Sequence, residues 1–519
     1  MASKKWDDDY DPHKERKNEN GLTHSEGITN VIKGCLGTGL LALPEAFHYA
    51  GTINGIVMFI IISIFGTYCF HLMLYSTYLL CKIKKVGFLS YANAMEAAFE
   101  VGPNFFKKMV PCSAVMVHIV MMLYQTGTMC VYILFMGYNI KMVCDQYFPE
   151  KHLLLYILYT FPASLLLTFI PNMKWFTPLA IFANIVSFVT FAVIFWYVTR
   201  DLPPFSSEPY VGHLKDFPLF FGTSLFALLS VPIILSVENN MADPAYFVAP
   251  VGALNIGFGT VTVLYAIVGI LGCWRYGEKI HSSITLNFPA NDVLSQTIRS
   301  LYSVAIWITY GFNGVVPRDV VWINYIAPRL KEDISAVKKW TIDYTLRFII
   351  VIITYIISMG VPLLGPVLSM TGGVCLSLLG ILFPAFMEIC ALWPDNFGKR
   401  KWILWKDFLI CLIGLVGLAV SMYASIRDII EELSQNPCLI SALLTVAAAS
   451  PLPEANAEPK ADPKPEANPQ FLAAYGAPVV AAPGLAYTSA YSAAPLAYSS
   501  YVAPPVYAGA YSYYSPYLF

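Results

Sequence analysis

The chain has 519 residues, of which 57% are hydrophobic and 13% charged, where ordinary soluble domains carry roughly 25% charge. Together with a mean hydropathy of +0.59, this leaves too few polar groups to cover a globular surface, which excludes a soluble enzyme and a disordered protein alike. Net charge is −1, so nothing points to nucleic acid.

Residues 1–27 are charged, mixed in sign and without the apolar core of a signal peptide, and read as a disordered cytoplasmic tail. Eleven apolar runs follow, at 28–50, 53–81, 114–140, 153–170, 176–198, 217–237, 251–274, 297–316, 344–364, 367–393 and 408–426. A bilayer core takes about 20 apolar residues per helix. The runs are too long for barrel strands and do not alternate. The fold expected is therefore an all-α membrane protein with eleven transmembrane helices in residues 28–430. The connecting segments carry 20 Lys and Arg on the side of the N-terminus and seven on the other. That bias makes the N-terminus cytoplasmic. The odd count then makes the C-terminus extracellular or lumenal.

Most of the 11 cysteines, among them Cys35, Cys69, Cys130, Cys375 and Cys411, lie within apolar runs as small core residues. No Cys/His spacing suggests a metal. No nucleotide loop or nucleophile triad is visible, so neither a cofactor nor catalysis is expected.

Residues 431–519 differ in kind. A short apolar run at 439–449 ends in small residues, like a secretory core with a cleavage site near Ala449. From Phe471 the chain is low-complexity Ala, Tyr, Pro, Ser and Gly, which packs no core. It resembles the Ala/Tyr/Pro-rich secreted proteins of arthropod cuticle. Two readings stay open: two coding units joined through the gene sequence, or a disordered extracellular tail.

The first and sixth runs share a pattern. Gly37-Thr38-Gly39-Leu40-Leu41-Ala42-Leu43 matches Gly222-Thr223-Ser224-Leu225-Phe226-Ala227-Leu228 at five of seven positions. Spans five apart cross the membrane in opposite senses, as two inverted five-helix units require. Glycine weakens a helix, and unwound backbone within a membrane is tolerated where it lines a cavity. Half-helix N-termini attract a carboxylate, while C-termini and freed carbonyls suit an ammonium. A zwitterionic amino acid fits both. Close packing of small residues is the alternative.

Asn30-Val31-Ile32-Lys33-Gly34 followed by Gly37-Thr38-Gly39-Leu40-Leu41-Ala42-Leu43-Pro44 resembles the opening helix of the amino acid/auxin permease superfamily. The likeness is greatest to the proton-coupled amino acid transporters, especially their insect branch. Phe220-Phe221-Gly222-Thr223, Val237-Glu238-Asn239-Asn240-Met241, Gly277 with Ile284-Thr285-Leu286-Asn287, and Thr309-Tyr310 with Pro317 extend it over residues 25–427. The resemblance implies a LeuT-like 5+5 inverted repeat plus one extra helix, moving small neutral amino acids with protons. The chain departs from the family at three places. Asn30 stands where the family has a histidine linked to proton coupling. Leu229 and Ser230 replace an acidic residue and a glycine. Ala242-Asp243-Pro244 replaces lysines.

The expected substrate-binding residues are Gly37, Thr38, Gly39, Leu40, Phe221, Gly222, Thr223, Ser224, Phe226, Gln125, Tyr310 and Asn313. Ionisable groups within a membrane are functional candidates by default, so Lys33, His71, His118, Glu238 and Glu388 join Asn30 as coupling or gating candidates. For the histidines a hydrogen-bonded packing role competes with proton relay, and for the glutamates a gate competes with a structural ion pair. Arg299 and Arg347 are expected to snorkel from span ends. The leading function is a proton-coupled or facilitative amino acid transporter in the plasma or lysosomal membrane. A non-transporting amino acid sensor and a sodium-coupled symporter are the alternatives. Its partners are small neutral amino acids, protons and the lipid bilayer.

Overall fold

The computed structural model describes residues 9–16, 21–170, 173–200, 202–203, 212–213, 215–330 and 335–435. The low-complexity segment and its neighbouring apolar run lie outside the described residues. In chain order the helices are α1 (Pro12–Glu15), α2 (His24–Cys35), α3 (Gly39–Ala50), α4 (Thr52–Lys84), α5 (Tyr91–Val101), α6 (Asn104–Lys107), α7 (Val110–Cys144), α8 (Leu153–Thr168), α9 (Met173–Thr199), α10 (Phe217–Leu228), α11 (Val231–Asn239), α12 (Pro244–Phe247), α13 (Ala253–Tyr276), α14 (Val293–Asn313), α15 (Val315–Val321), α16 (Ala336–Gly360), α17 (Leu364–Met370), α18 (Phe383–Leu392) and α19 (Trp402–Gln435). A wide π-helical stretch, Thr371–Leu382, joins α17 to α18. Among the described residues no strand forms, and the β contact present is an isolated bridge between Leu22 and Met241.

Eight helical stretches among the described residues are long and apolar enough to cross a membrane. They are α4, α7, α9, α10 with α11, α13, α16, α17 through α18, and α19. The other expected runs fall on shorter or more polar helices. The first is split into α2 and α3, of 12 residues each. The fourth is the 16-residue α8. The eighth is the 21-residue α14, whose apolar run Arg299 interrupts.

The first helix starts earlier than the hydrophobic run because its cap lies outside that run. Thr23 Oγ1 accepts from the Glu26 amide, and the Glu26 carboxylate accepts from the Thr23 amide, a reciprocal capping box. Those bonds from Thr23 hold the Glu26 carboxyl below its usual range.

The segment expected to be a loose tail makes specific contacts in its described residues. The Arg16 side chain is buried, donating to the Gly87 carbonyl at 2.6 Å and to Glu238 Oε1 at 2.8 Å. Leu22 exchanges backbone hydrogen bonds with the 240–242 turn, Leu22 N to Asn240 O at 2.8 Å and Ala242 N to Leu22 O at 3.0 Å. A charge-rich composition does not reveal that one arginine has a buried partner 222 residues away.

Backbone-to-backbone packing builds the interior. A Cβ on Gly39 would lie 2.5 Å from Ala227 Cα, so α3 and α10 touch without side chains between them. Phe47 of α3 fills the gap beside Gly269 of α13 and meets the Phe220 ring edge-on at 5.9 Å. Small residues permit such close approach within membranes, where dispersion drives association. Outward faces carry Ile60, Ile61 and Ile64 of α4 and Phe182, Ile185 and Val189 of α9, an apolar surface suited to lipid.

Both arginines expected to snorkel are instead buried. Arg299 is fully inaccessible and clamps the 283–288 turn, with Nε donating to Thr285 O at 2.9 Å and Nη2 to Phe288 O at 2.6 Å. Arg347 donates to the Thr168 and Ile170 carbonyls at 2.7 and 3.0 Å and pairs with Asp343 at 3.1 Å. Free backbone carbonyls inside the protein gave these guanidinium groups partners, so they had no need to reach water.

Candidate functional site

Two helix breaks face each other at the centre of the molecule. The first, Leu36–Thr38, separates α2 from α3. Leu36 is extended, and glycines at 37 and 39 lower the cost of leaving the helix. The freed backbone is not left open. The Tyr265 hydroxyl of α13 donates to Cys35 O at 2.6 Å and accepts from Gly37 N at 3.1 Å.

The second break lies at Leu229–Ser230, between α10 and α11. The matched stretch 222–228 is itself helical, so the break is displaced from where the sequence repeat pointed. Pro232 explains the displacement, because it lacks the N–H that a continuing helix would donate to Leu228. Gly222 serves packing instead: a Cβ there would meet the Ser369 carbonyl at 2.3 Å. Ser230 Oγ donates to Gly34 O at 2.9 Å, tying the two breaks together.

A cavity of about 300 Å³ opens between them. Its walls come from both breaks and from α2, α7, α9, α10, α11 and α14. Of the residues expected from sequence, Asn30, Lys33, Gly37, Thr38, Gly39, Gln125, Phe226 and Asn313 line it. Gln125 Nε2 donates to both the carbonyl and the Oδ1 of Asn313, joining α7 to α14 at the wall. Lys33 is the one Lys, Arg, Asp, Glu or His on the described lining, so no carboxylate faces this space.

The other expected residues lie elsewhere. Leu40, Thr223 and Ser224 are buried among helices, and Phe221 packs against Gly417 of α19. Tyr310 is fully buried and bonds Thr354 Oγ1 of α16 at 2.9 Å. His71 Nε2 lies 2.8 Å from Asn255 Oδ1. The Asn255 amide nitrogen already donates to the Ala249 and Pro250 carbonyls, so His71 is the donor in that bond. His118 Nδ1 bonds the Tyr325 hydroxyl at 3.1 Å. Glu238 pairs with Arg16, and Glu388 with Lys406 at 2.5 Å. Both glutamates are thus in ion pairs away from the cavity wall.

Sequence reading missed Tyr265, Ser230, Asn184, Ser187 and Thr309. The last four line the cavity, and Tyr265 braces its first break. Ser230 stood out as a family departure and Pro232 signalled the break. A lone tyrosine within the apolar α13 carries no local sign of its partners. At one end the lining reaches Leu22, Ser236, Val237 and Asn240, beside the backbone bridge of Leu22 to the 240–242 turn.

Long apolar helices around a cavity walled by two broken ones define a multi-pass membrane transporter. Residues 20–427 match the family described as transmembrane amino acid transporter protein, and the chain belongs to that family. It is a family of amino acid transporters, not of enzymes, and the one that the opening motifs resembled. The chain is 30% identical over 429 residues to the "Proton-coupled amino acid transporter-like protein pathetic" of Drosophila melanogaster, covering 82% of this chain and 90% of that protein. It is 24% identical over 432 residues to the "Probable amino acid transporter skat-1" of Caenorhabditis elegans, covering 80% and 92%. Among solved structures it aligns with a manganese transporter of Eremococcus coleocola at 14% identity and a TM-score of 0.42, over 85% of this chain and 97% of that one.

Proposed function

We propose that the protein moves small neutral amino acids across a membrane by alternating access, with eleven spans of which the first ten form a LeuT-like inverted repeat. The observation that carries this reading is the cavity between two helix breaks, with one cationic side chain and no carboxylate on its described lining. The N-terminal ends of α3 and α11 meet the cavity at Thr38–Gly39 and Ser230–Pro232. Their partial positive charge suits a substrate carboxylate. The C-terminal ends of α2 and α10 supply partial negative charge for the ammonium. Phe226, Tyr302 and Phe312 offer apolar surface for a small side chain. A cationic side chain would enter beside Lys33 with no carboxylate to pair it, a costly arrangement in low dielectric.

In this reading Gly37, Thr38, Gly39, Gln125, Phe226 and Asn313 contact substrate. The Arg16–Glu238 pair and Leu22 close the N-terminal side, which the charge bias makes cytoplasmic. The membrane is the plasma or the lysosomal one. Coupling is either to protons or absent. The test is uptake of labelled alanine into vesicles containing the purified protein, with unlabelled glycine, proline and lysine as competitors. Glycine and proline are expected to compete and lysine to leave uptake unchanged. Competition by lysine as strong as by glycine contradicts the charge argument.

A further inference from the structure

Among the described residues two of the more enclosed groups of ion pairs balance, and the clusters around Lys141 and Arg427, with two carboxylates each, include an exposed one, Glu150 or Glu431. Arg16 meets Glu238 one to one. Arg318 and Arg347 share Asp319 and Asp343, two with two. Glu45 lies near Asp428 and Glu432, of which Asp428 is half-buried and Glu432 exposed. A different cluster is tied together by direct ion pairs. Where α18 meets α19, Lys406 Nζ lies 2.5 Å from Glu388 Oε2 and 2.9 Å from Asp407 Oδ1. One ammonium faces two carboxyls. Asp407 is fully buried and Glu388 nearly so.

The hydrogen bonds are incomplete as well. Neither Asp407 oxygen receives one: the ammonium is close to Oδ1 but misaligned, and nothing donates to Oδ2. Among the described residues no other cation forms an ion pair with these two carboxyls. From α4 come Tyr68, whose ring lies 5.5 Å from Lys406 Nζ, with Tyr75 and Cys69, and from α19 comes Cys411. A buried carboxylate without a partner is strongly disfavoured. A protonated one becomes a donor and can bond its neighbouring carboxylate. A metal ion there would sit against the Lys406 ammonium, which disfavours it.

We propose that Glu388 and Asp407, gathered around Lys406, form a buried proton-binding site in which one shared proton leaves the cluster neutral. The proposal deepens the transport reading, because positions 30 and 229 carry no titratable group and the described cavity lining has no carboxylate or histidine. A continuous helical path leads from the site toward the cavity wall. From Glu388 the chain runs back through α18 and the π-helical stretch to Gly372, where an added Cβ would touch the Gly222 carbonyl of α10 at 2.1 Å. α10 carries Phe226 into the cavity wall. Loss of the proton leaves a net negative charge at the α18–α19 contact and loosens that corner.

Two measurements test it. The first is the thermal midpoint of the purified full chain in detergent from about pH 6 to about pH 9, above the range of an ordinary carboxyl. A proton held by the folded state and released on unfolding stabilises at low pH, and that stability is lost as pH rises. The midpoint of the natural chain should therefore fall across this range. Asp407→Asn and Glu388→Gln each leave one carboxylate for one ammonium, and each should cut the fall at least about twofold relative to the one-proton slope. Lys406→Met leaves two carboxyls with no cation and should not reduce the fall. Two carboxyl variants that both keep the full slope overturn the site; using both guards against one failing to fold. The second measurement is the ratio of alanine uptake at about pH 5.5 to that at about pH 7.5. A ratio lowered toward one in Asp407→Asn supports the coupling role. A ratio unchanged in a variant with a flattened stability slope overturns that role. Absence of uptake by the natural chain at either pH contradicts the transport reading, and the stability slopes then judge the proton site alone.

Discussion

At the scale of single residues, the site depends on hydroxyls that satisfy broken backbone. Tyr265 is the clearest case, since its one oxygen serves both Cys35 O and Gly37 N. Neutral hydrogen bonds contribute about 0.5–1.5 kcal/mol each. Tyr265→Phe is therefore expected to weaken alanine binding about tenfold while the protein stays monodisperse, read by equilibrium binding beside gel filtration. Affinity equal to that of the natural chain would remove Tyr265 from the account. The glycines divide by what surrounds them. Gly37 has open space where a Cβ would go, whereas Gly222 has the Ser369 carbonyl at 2.3 Å. Gly222→Leu should accordingly lower the thermal midpoint, at a cost of about 1–3 kcal/mol or more from overpacking. A midpoint within error of the natural chain would contradict the close contact. Both glycines sit in the same repeated pattern, so spacing alone could not separate a break from a packing contact. Asn30, Gly37 and Phe226 lie on the cavity wall and also in the matched or family-like motifs. Tyr265 was not legible, because its partners lie 228 and 230 residues away in the chain.

At the scale of elements, long apolar helices were legible from hydropathy, since lipid demands a continuous run. Their ends were not always so. α2 begins at His24 because Thr23 and Glu26 form the cap, and α10 ends at Leu228 because Pro232 lies four residues on. The contacts of the N-terminal segment were not legible for a different reason: they rest on a buried ion pair and a backbone bridge rather than on an apolar face. Both side chains of the Arg16–Glu238 pair are nearly inaccessible, at 3% and 6%. Removing one partner of a buried pair costs about 3–5 kcal/mol. Arg16→Ala should make residues around 9–24 markedly more sensitive to limited proteolysis, and Glu238→Gln should do the same. The double variant should be no more sensitive than either single one, as expected for two residues acting as one latch. Sensitivities that add would show that the two residues act separately.

At the scale of the whole molecule, one design recurs among the described residues: a helix break or an irregular turn takes a hydrogen-bond partner from another element. Tyr265 does so for the first break, Ser230 for its link to the second, and Arg299 for the 283–288 turn. The Glu388–Lys406–Asp407 corner departs from it, with two carboxyls on one ammonium. The central claim is that substrate occupies the space beside Gly37. The most direct test compares alanine uptake by Gly37→Val with uptake by Gly259→Val. Both glycines have nothing within 4 Å of an added Cβ, but Gly37 lines the cavity and Gly259 lies on α13 away from it. The account predicts that both variants fold, that Gly259→Val transports like the natural chain, and that uptake by Gly37→Val falls at least about tenfold, the equivalent of roughly 1.4 kcal/mol. Undiminished uptake by a folded Gly37→Val would place the substrate elsewhere.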